Sequence, residues 1–139
     1  MENQRLKELS TLFETISALE RKIANEWNSR NKLGFSKSHI LILEYLATEG
    51  PKRPSSIAEK LQVTTGGVTV LTTKLLKNGY IERTQNIIDK RAALISITEQ
   101  GMEVLEQSRE HIQKLIEDLF GMLSDEEIRT LKQIFIKCL

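Results

Sequence analysis

Apolar residues recur every three or four positions along most of the chain, and this spacing predicts amphipathic helices. The first such segment, residues 2–31, has no glycine or proline to interrupt it. A second helix is predicted to begin at an N-cap Ser36 and to run to about residue 48, where Gly50 and Pro51 follow. The residues of this helix predicted to face inward are Ile40, Leu41, Leu43, Tyr45 and Leu46.

Two shorter apolar stripes follow, and they lie close enough together to predict a helix-turn-helix. The first spans residues 55–61 and is followed by a two-residue turn. Thr64 offers an N-cap hydroxyl to the second helix, and Asn78-Gly79 ends it because glycine tolerates the left-handed conformation. The residues predicted to face inward are Ile57, Ala58 and Leu61, and then Val68, Leu71 and Leu75.

After the second helix the apolar residues alternate with polar ones, which predicts strands. Residues 80–85 form one short strand, residues 86–91 a loop tip and residues 92–97 the returning strand. A hairpin in this position is the wing of a winged helix. The alternative interpretation is that its basic tip is an ordinary solvated turn.

Helices are also predicted at the C-terminal end of the chain. Thr98 caps a third long helix, and residues 124–127 form a capping box that opens the last one. The first helix and these last two carry continuous apolar stripes that have no partner inside a winged-helix core, which predicts a two-fold dimer. The residues predicted to form the dimer contact are Leu6, Phe13, Ile16, Leu119, Leu131, Ile134 and Phe135.

The second helix of the helix-turn-helix has an outward face that suits DNA. A helix that enters the major groove needs short side chains and a close backbone approach, and free N–H groups in its first turn bind phosphate. The alternative is that Thr-Gly-Gly only frays the start of the helix. The outward face is predicted to carry Thr65, Gly66, Gly67, Thr69, Thr72, Thr73 and Lys74, none of them acidic.

The net charge of +1 conceals a strong segregation of charge along the chain. Residues 51–91 hold eight basic and three acidic side chains, whereas residues 92–139 hold five basic and nine acidic. The basic excess therefore falls on the helix-turn-helix and the hairpin, as expected of a surface that faces phosphates. The alternative is an ordinary solvated face.

Other classes of protein fit the sequence poorly. His39 and His111 are far apart, and neither metal-ligand spacing nor a glycine-rich phosphate loop occurs, so we expect no enzyme activity, metal or cofactor. His39 is interpreted as a local or DNA-backbone contact. The single cysteine, Cys138, is interpreted as a packed interface thiol in a cytoplasmic protein. The longest apolar run, Ile40–Leu43, is too short for a membrane span, and no signal peptide is expected.

Five motifs occur in the order and at the spacing of MarR-type (multiple-antibiotic-resistance regulator) transcription factors, which the chain resembles over essentially its whole length. They are the motifs Ile57–Leu61, Thr65–Thr69, Leu75–Arg83, Asp89–Arg91 and Ile97–Gly101. The resemblance implies a mostly α (α+β) fold, a winged helix-turn-helix with long N- and C-terminal dimerisation helices. It implies a ligand-responsive repressor that binds a palindromic operator in double-stranded DNA as a homodimer and responds to a small-molecule effector.

The alternative function is a winged-helix protein–protein interaction module without DNA binding. The domains implied are residues 1–35 for dimerisation, 36–97 for DNA binding and 98–139 for dimerisation. The helix-turn-helix would span about residues 54–78 and the wing about residues 80–97. The residues predicted to bind DNA are Ser38, Ser55, Thr64, Thr65, Gly66, Gly67, Thr69, Thr73, Lys74, Lys77, Asp89, Lys90 and Arg91.

The resemblance also assigns roles within this set. Thr65, Gly67 and Thr69 would meet bases, and Lys74 and Lys77 would meet phosphates. In the wing, Arg91 would contact DNA while Asp89 holds it in place. Many family members have an arginine where this chain has Val70. Base recognition is therefore expected to depend more on the threonines, the wing and the shape of the DNA.

Overall fold

A computed structural model describes residues 2–31, 34–85 and 93–139. Within these residues the elements are α1 (Glu2–Arg30), α2 (Lys37–Glu49), α3 (Pro54–Leu61), α4 (Thr65–Lys77), β1 (Ile81–Gln85), β2 (Ala93–Ile97), α5 (Glu99–Phe120) and α6 (Asp125–Cys138). The chain divides into two compact units. We call Leu33–Glu110 the core unit, and Met1–Lys32 together with His111–Leu139 the terminal unit. The mostly helical winged-helix fold expected from the sequence is confirmed.

The core unit is built from α2, α3 and α4, which pack on one another, while α2 and α3 also contact β2 and α4 contacts β1. Its fully buried side chains include Ile42, Leu43, Leu46, Ile57, Val68, Leu75, Ile95 and Leu105. The prediction that Leu41 faces inward is wrong, because Leu41 is 47% exposed and its neighbour Ile42 is fully buried. Residues 39, 40, 42, 43 and 46 form the buried stripe of α2, and position 41 lies off that stripe.

The helix-turn-helix is formed by local signals that the sequence carries. Pro54 occupies the start of α3, where its missing N–H costs nothing. Gln62 adopts a left-handed φ of 55°, which turns the chain. The Thr64 hydroxyl accepts from the Gly67 N–H at 3.0 Å and caps α4, as predicted. At the other end, Gly79 has a φ of 77°, which glycine adopts without strain, so α4 ends there.

The two strands form an antiparallel pair whose register aligns Ile81 with Ile97. Lys52 extends this sheet by one residue, since its N–H donates to the Ile95 carbonyl at 2.9 Å and its carbonyl accepts from the Ile95 N–H at 2.8 Å. The segment before α3 is thereby fixed to the wing. The predicted loop tip lies outside the described residues.

The first half of α5 belongs to the core unit and is bonded to its other elements. The Thr98 hydroxyl donates to the Gly79 carbonyl at 2.6 Å and accepts from the Gly101 N–H at 3.1 Å. A Cβ at Gly101 would lie 2.1 Å from the Tyr80 carbonyl oxygen, so only glycine permits this close approach. Farther along α5, the Arg109 guanidinium donates to both carboxylate oxygens of Glu44 on α2, at 2.8 and 3.1 Å, and this lowers the Glu44 pKa.

The terminal unit comprises α1, the second half of α5, and α6. Arg30 on α1 donates to Asp118 on α5 at 2.6 Å and to Glu26 at 2.9 Å. Ser124 and Glu127 form the capping box predicted for α6. Burial of large apolar side chains here is limited to Leu115 and Leu119 among the described residues. No helix in the described part of the chain is both long enough and apolar enough to cross a membrane.

Six of the seven residues predicted to form a dimer contact are exposed or half-buried in the single chain. They are Leu6, Phe13, Ile16, Leu131, Ile134 and Phe135. Leu119 differs, because it is only 8% exposed and is already covered by its own chain. Its burial lies within the terminal unit rather than the winged-helix core, and its part in a dimer contact stays a prediction. The other six retain exposed apolar surface in the single chain, and their part in a dimer contact also stays a prediction.

Candidate nucleic-acid interface

The helix α4 has two opposite faces with different chemistry. Val68, Thr72 and Leu75 are buried against the core unit. The exposed face carries Gly66, Thr69, Val70, Thr73 and Lys77, which the helical period places on the side away from the buried residues. No acidic residue occurs between Thr65 and Lys77. We call the five residues of this surface the α4 exposed face.

The structure corrects the predicted position of Thr72. Its side chain was expected on the outward face, but it is only 3% exposed. Its hydroxyl donates to the Val68 carbonyl at 2.8 Å, so the polar group is satisfied inside the helix while the methyl group packs in the core. Thr72 is therefore a structural residue and is unavailable to a partner.

The other two threonines in the body of α4 remain exposed and have defined hydroxyl directions. The Thr69 hydroxyl donates to the Thr65 carbonyl at 3.1 Å, and the Thr73 hydroxyl donates to the Thr69 carbonyl at 2.6 Å. Because each hydroxyl hydrogen is used within the helix, each oxygen presents lone pairs outward. These two side chains therefore offer hydrogen-bond acceptors and methyl groups to a partner.

The first turn of α4 has a free approach to its backbone. A Cβ at Gly66 would have only the Thr64 hydroxyl oxygen nearby, at 3.9 Å, so the packing of the chain does not require glycine there. At Gly67 the same oxygen would lie at 3.4 Å, an ordinary contact. Thr65 is exposed beside them. The Gly67 N–H already donates to the Thr64 hydroxyl, so an anion would approach the helix start beside this cap, where Gly66 adds no side chain.

The two lysines of α4 differ in what their ammonium groups contact. Lys77 is exposed in the last turn. Lys74 is also exposed, but its ammonium donates to the Gly34 carbonyl and lies 4.9 Å from the centre of the Phe35 ring. Lys74 would have to leave Gly34 and Phe35 to reach a phosphate. Lys77 does not take part in these contacts.

Ser38 and Ser55 lie in the first turns of α2 and α3, Ser38 half-buried and Ser55 exposed. In the same turn of α2, the His39 side chain is buried, and its Nδ1 accepts from the Ser36 N–H at 3.0 Å. Burial, and then the charge of Lys74, lower the pKa of His39. The interpretation of His39 as a local contact is confirmed, since it completes the capping box of α2.

Asp89, Lys90 and Arg91 lie outside the described residues, and their roles stay predictions. Tyr45, predicted to face inward, is half-buried, and sequence reasoning did not indicate that the ammonium groups of Lys52 and Lys60 lie 5.7 and 5.6 Å from the centre of its ring. Lysines spaced far apart in sequence gave no local signal of this basic cluster.

In the described part of the chain, no group of His, Cys, Asp and Glu is placed to hold a metal ion.

The terminal unit contains a cavity of about 500 Å³, lined by Ser29, Arg30, His111, Lys114 and Asp118. Arg30 is committed to Asp118 and Glu26, so its charge is already paired. Lys114 and His111 supply the other basic groups of the lining. The volume is within the range of small-molecule sites.

Comparison with known proteins identifies the family. The model of the MarR family matches residues 35–93. The chain is 29% identical to the HTH-type transcriptional regulator YpoP of Bacillus subtilis, over 96% of the chain and 93% of YpoP. It is 32% identical to an HTH-type transcriptional regulator of Bacillus cereus, over 84% of the chain and 76% of that protein.

A solved structure shows the same fold over nearly the whole chain. It is a mutant of MarR from E. coli complexed with operator DNA, with a TM-score of 0.83 and 25% sequence identity. The match covers 95% of this chain and 96% of that one. The winged helix-turn-helix, the matching family model and these similarities agree, and the chain belongs to the MarR family of helix-turn-helix transcriptional regulators.

Proposed function

We propose that the protein is a homodimeric repressor that binds a palindromic operator in double-stranded DNA through the α4 exposed face. The observation that carries the proposal is this face: small or aliphatic side chains, two outward hydroxyl oxygens, one exposed lysine and no acid. An α-helix fits the width of the major groove, where such side chains meet base edges. The similarity to MarR, solved with operator DNA, supports the same mode of binding.

The basic surplus of residues 51–91 favours DNA over a protein partner. Residues 51–91 carry a net charge of +5, counted from eight basic and three acidic side chains. A polyanion gains from this surplus through the release of its counterions. A module that only binds proteins gains nothing general from it, so the protein–protein alternative is disfavoured. We place the regulator in the cytoplasm, where its operator would be accessible.

The proposed dimer follows from the apolar surface of the terminal unit. Residues 1–35 and 98–139 would supply the dimer contact, and residues 36–97 would bind DNA. A two-fold dimer presents two copies of α4, and two recognition helices about one helical turn apart match a palindrome. Repression would then result because the dimer occupies a promoter.

The test of DNA binding uses duplexes selected from a random-sequence pool with the full-length protein. Fluorescence anisotropy on a selected duplex then gives the dissociation constant at several salt concentrations. Affinity is expected to fall at least a hundredfold, on the order of 10³-fold, between roughly 50 and 200 mM salt. Binding that is indifferent to salt over this range would contradict the proposal.

A matched pair of lysine variants locates the phosphate contacts. Lys77→Gln, on α4, is expected to weaken binding to all duplexes and to reduce the salt slope by about one. Lys137→Gln, in the last turn of α6, removes the same charge from the terminal unit and should leave the slope unchanged. Equal effects of the two variants would show that only net charge matters.

The wing is proposed to add affinity and orientation more than base choice. Arg91→Ala should weaken binding to several operator variants by a similar factor, and Asp89→Ala should do the same more weakly. Anisotropy measured on a set of operator variants compares the two. A change in sequence preference without a change in general affinity would contradict this role for Arg91.

The proposed small-molecule effector would occupy the cavity of the terminal unit. Lys114 and His111 in its lining suit a ligand with a negative group. Benzoate, which joins a carboxylate to an apolar ring, is a suitable first probe in an anisotropy titration of the protein–duplex complex. Lys114→Ala should abolish any release that benzoate causes, whereas Lys132→Ala, on α6, should retain it.

A further inference from the structure

The α4 exposed face contains one side chain that the fold does not explain. Val70 is 72% exposed, the largest exposed fraction of any large apolar side chain in the described part of the core unit. Valine is a weaker helix former than alanine, so an exposed valine in mid-helix adds nothing to the stability of α4. Its position between Gly66 and Thr73 on the exposed stripe places it at the centre of the proposed DNA surface.

The neighbours of Val70 determine which chemistry the surface can recognise. The hydroxyl hydrogens of Thr69 and Thr73 are used by carbonyls of α4, so their oxygens accept hydrogen bonds outward and their methyl groups remain apolar. The centre of the face thus combines a branched apolar side chain with acceptors on either side of it. With the hydroxyls in these directions, the three positions present acceptors and apolar groups to a partner.

In the major groove, this combination matches one base pair better than the others. The C5 methyl of thymine is the only apolar group on a base edge in that groove, and the adenine paired with it presents an N6 amino donor. A cytosine–guanine pair also presents a donor, on cytosine N4, but it has no methyl group. An apolar group beside an acceptor is therefore complementary to a thymine–adenine pair.

We propose that Val70 is a specificity-determining residue that packs against the C5 methyl of a thymine in each operator half-site, while the hydroxyl oxygen of Thr69 or Thr73 accepts from the N6 amino group of the paired adenine. The inference rests on the proposed function, since it requires α4 to enter the major groove. It adds the chemical identity of the base pair at the centre of the contact.

The test removes the methyl group from the DNA and the isopropyl group from the protein in a double-mutant cycle. Each thymine of a duplex selected by the natural protein is replaced in turn by deoxyuridine, which lacks only the C5 methyl. With the natural protein, deoxyuridine at one symmetric pair of positions should weaken binding about four-fold per half-site. This is the ratio expected when one methyl group is no longer buried in the contact. With Val70→Ala, the same replacement should change the affinity by less than about 1.5-fold.

Leu41→Ala is the matched control, because Leu41 is also an exposed aliphatic residue of the core unit but lies on α2. This variant should keep the full sensitivity to deoxyuridine. If Val70→Ala retains that sensitivity too, or if no thymine responds while the duplex still binds with the expected salt dependence, the inference is overturned and the proposed function stands. Failure to select any duplex would overturn both.

Discussion

The core unit and the terminal unit bury their apolar residues to very different extents. Among the described residues, 13 of the 15 buried hydrophobic side chains belong to the core unit. Of the 16 large hydrophobic side chains that are exposed in the same part of the chain, 12 belong to the terminal unit, and those above 60% include Leu6, Phe13 and Ile136. One chain therefore completes the core of the winged helix but leaves the terminal helices largely uncovered.

The contrast separates two sources of stability. Apolar area contributes to folding only where it is removed from water, roughly 25 cal/mol per Å². The core unit obtains this contribution within one chain, whereas the terminal unit would obtain it from a second copy. Mutations in the two units should therefore differ in how their effects depend on protein concentration.

The largest expected effect is in the core unit. Leu75→Ala removes a fully buried side chain from α4. It should lower the free energy of unfolding by about 3 kcal/mol, because a cavity remains where the side chain was. The loss, measured by urea denaturation, should be the same at low and high protein concentration. A loss that disappears at high concentration would place Leu75 in an intermolecular contact.

In the terminal unit, removal of an exposed apolar side chain should weaken the association of two chains. Phe13→Ala should raise the dissociation constant of the dimer, with a cost of about 2 kcal/mol per chain if the ring is buried between copies. Sedimentation equilibrium measures this constant. Val70→Ala is the matched control, since Val70 and Phe13 are both 72% exposed in the single chain. Equal dissociation constants for the two variants and the natural protein would exclude Phe13 from the dimer contact.

A smaller effect on the free energy of unfolding, one that depends on pH, is expected at α2. Burial and the nearby Lys74 lower the pKa of His39 from its ordinary value of 6.5. Above that pH both the folded and the unfolded chain carry neutral His39, and stability does not change. Below it the unfolded chain binds the proton first, so stability falls as the pH falls until the folded pKa is passed.

His39→Gln tests this source of pH dependence. Glutamine at the same position of a capping box accepts from the Ser36 N–H but does not titrate. The variant should lose about 1 kcal/mol at pH 8 through the missing ring contacts and should show a weaker decline between pH 6.5 and 5. Thermal unfolding across this range is the measurement. An unchanged decline would assign the pH dependence to other groups.

The smallest expected effect on stability has the opposite sign. Gly66→Ala should stabilise the protein by up to about 1 kcal/mol, since alanine favours the helix and the added Cβ meets no close atom. It should weaken binding to every duplex if DNA approaches the backbone there. Anisotropy compares it with the natural protein. A variant that is more stable and binds equally well would show that this glycine has no part in recognition.

Local signals allowed much of the fold to be predicted from the sequence. Ser36, Thr64 and Ser124 cap the helices that follow them, because a side-chain oxygen next to an apolar stripe satisfies a free N–H group. The order of elements and the family follow from such short segments. These features depend on neighbours within about four residues in the chain, which the sequence displays directly.

The errors occurred where contacts distant in sequence, or rotations about a helix axis, decide the outcome. The run Ile40–Leu43 is apolar throughout, so its pattern did not reveal that Leu41 points outward. Thr72 was assigned outward from its polarity, although its bond to Val68 lets it be buried. Lys74 contacts Gly34, forty residues away, and no local pattern indicates that. The DNA-binding and dimer residues stay predictions.

Sedimentation velocity of the full-length protein, alone and with a selected duplex at micromolar concentration, shows directly whether a dimer forms and whether the dimer binds DNA. The chain has a mass of 15.9 kDa, and we predict a particle of twice that mass that binds one palindromic duplex as a dimer. On dilution, the dimer should dissociate into single chains and the protein should lose its DNA over the same range of concentration. A folded monomer of 15.9 kDa that still binds a single palindrome tightly would contradict both the architecture and the mode of binding.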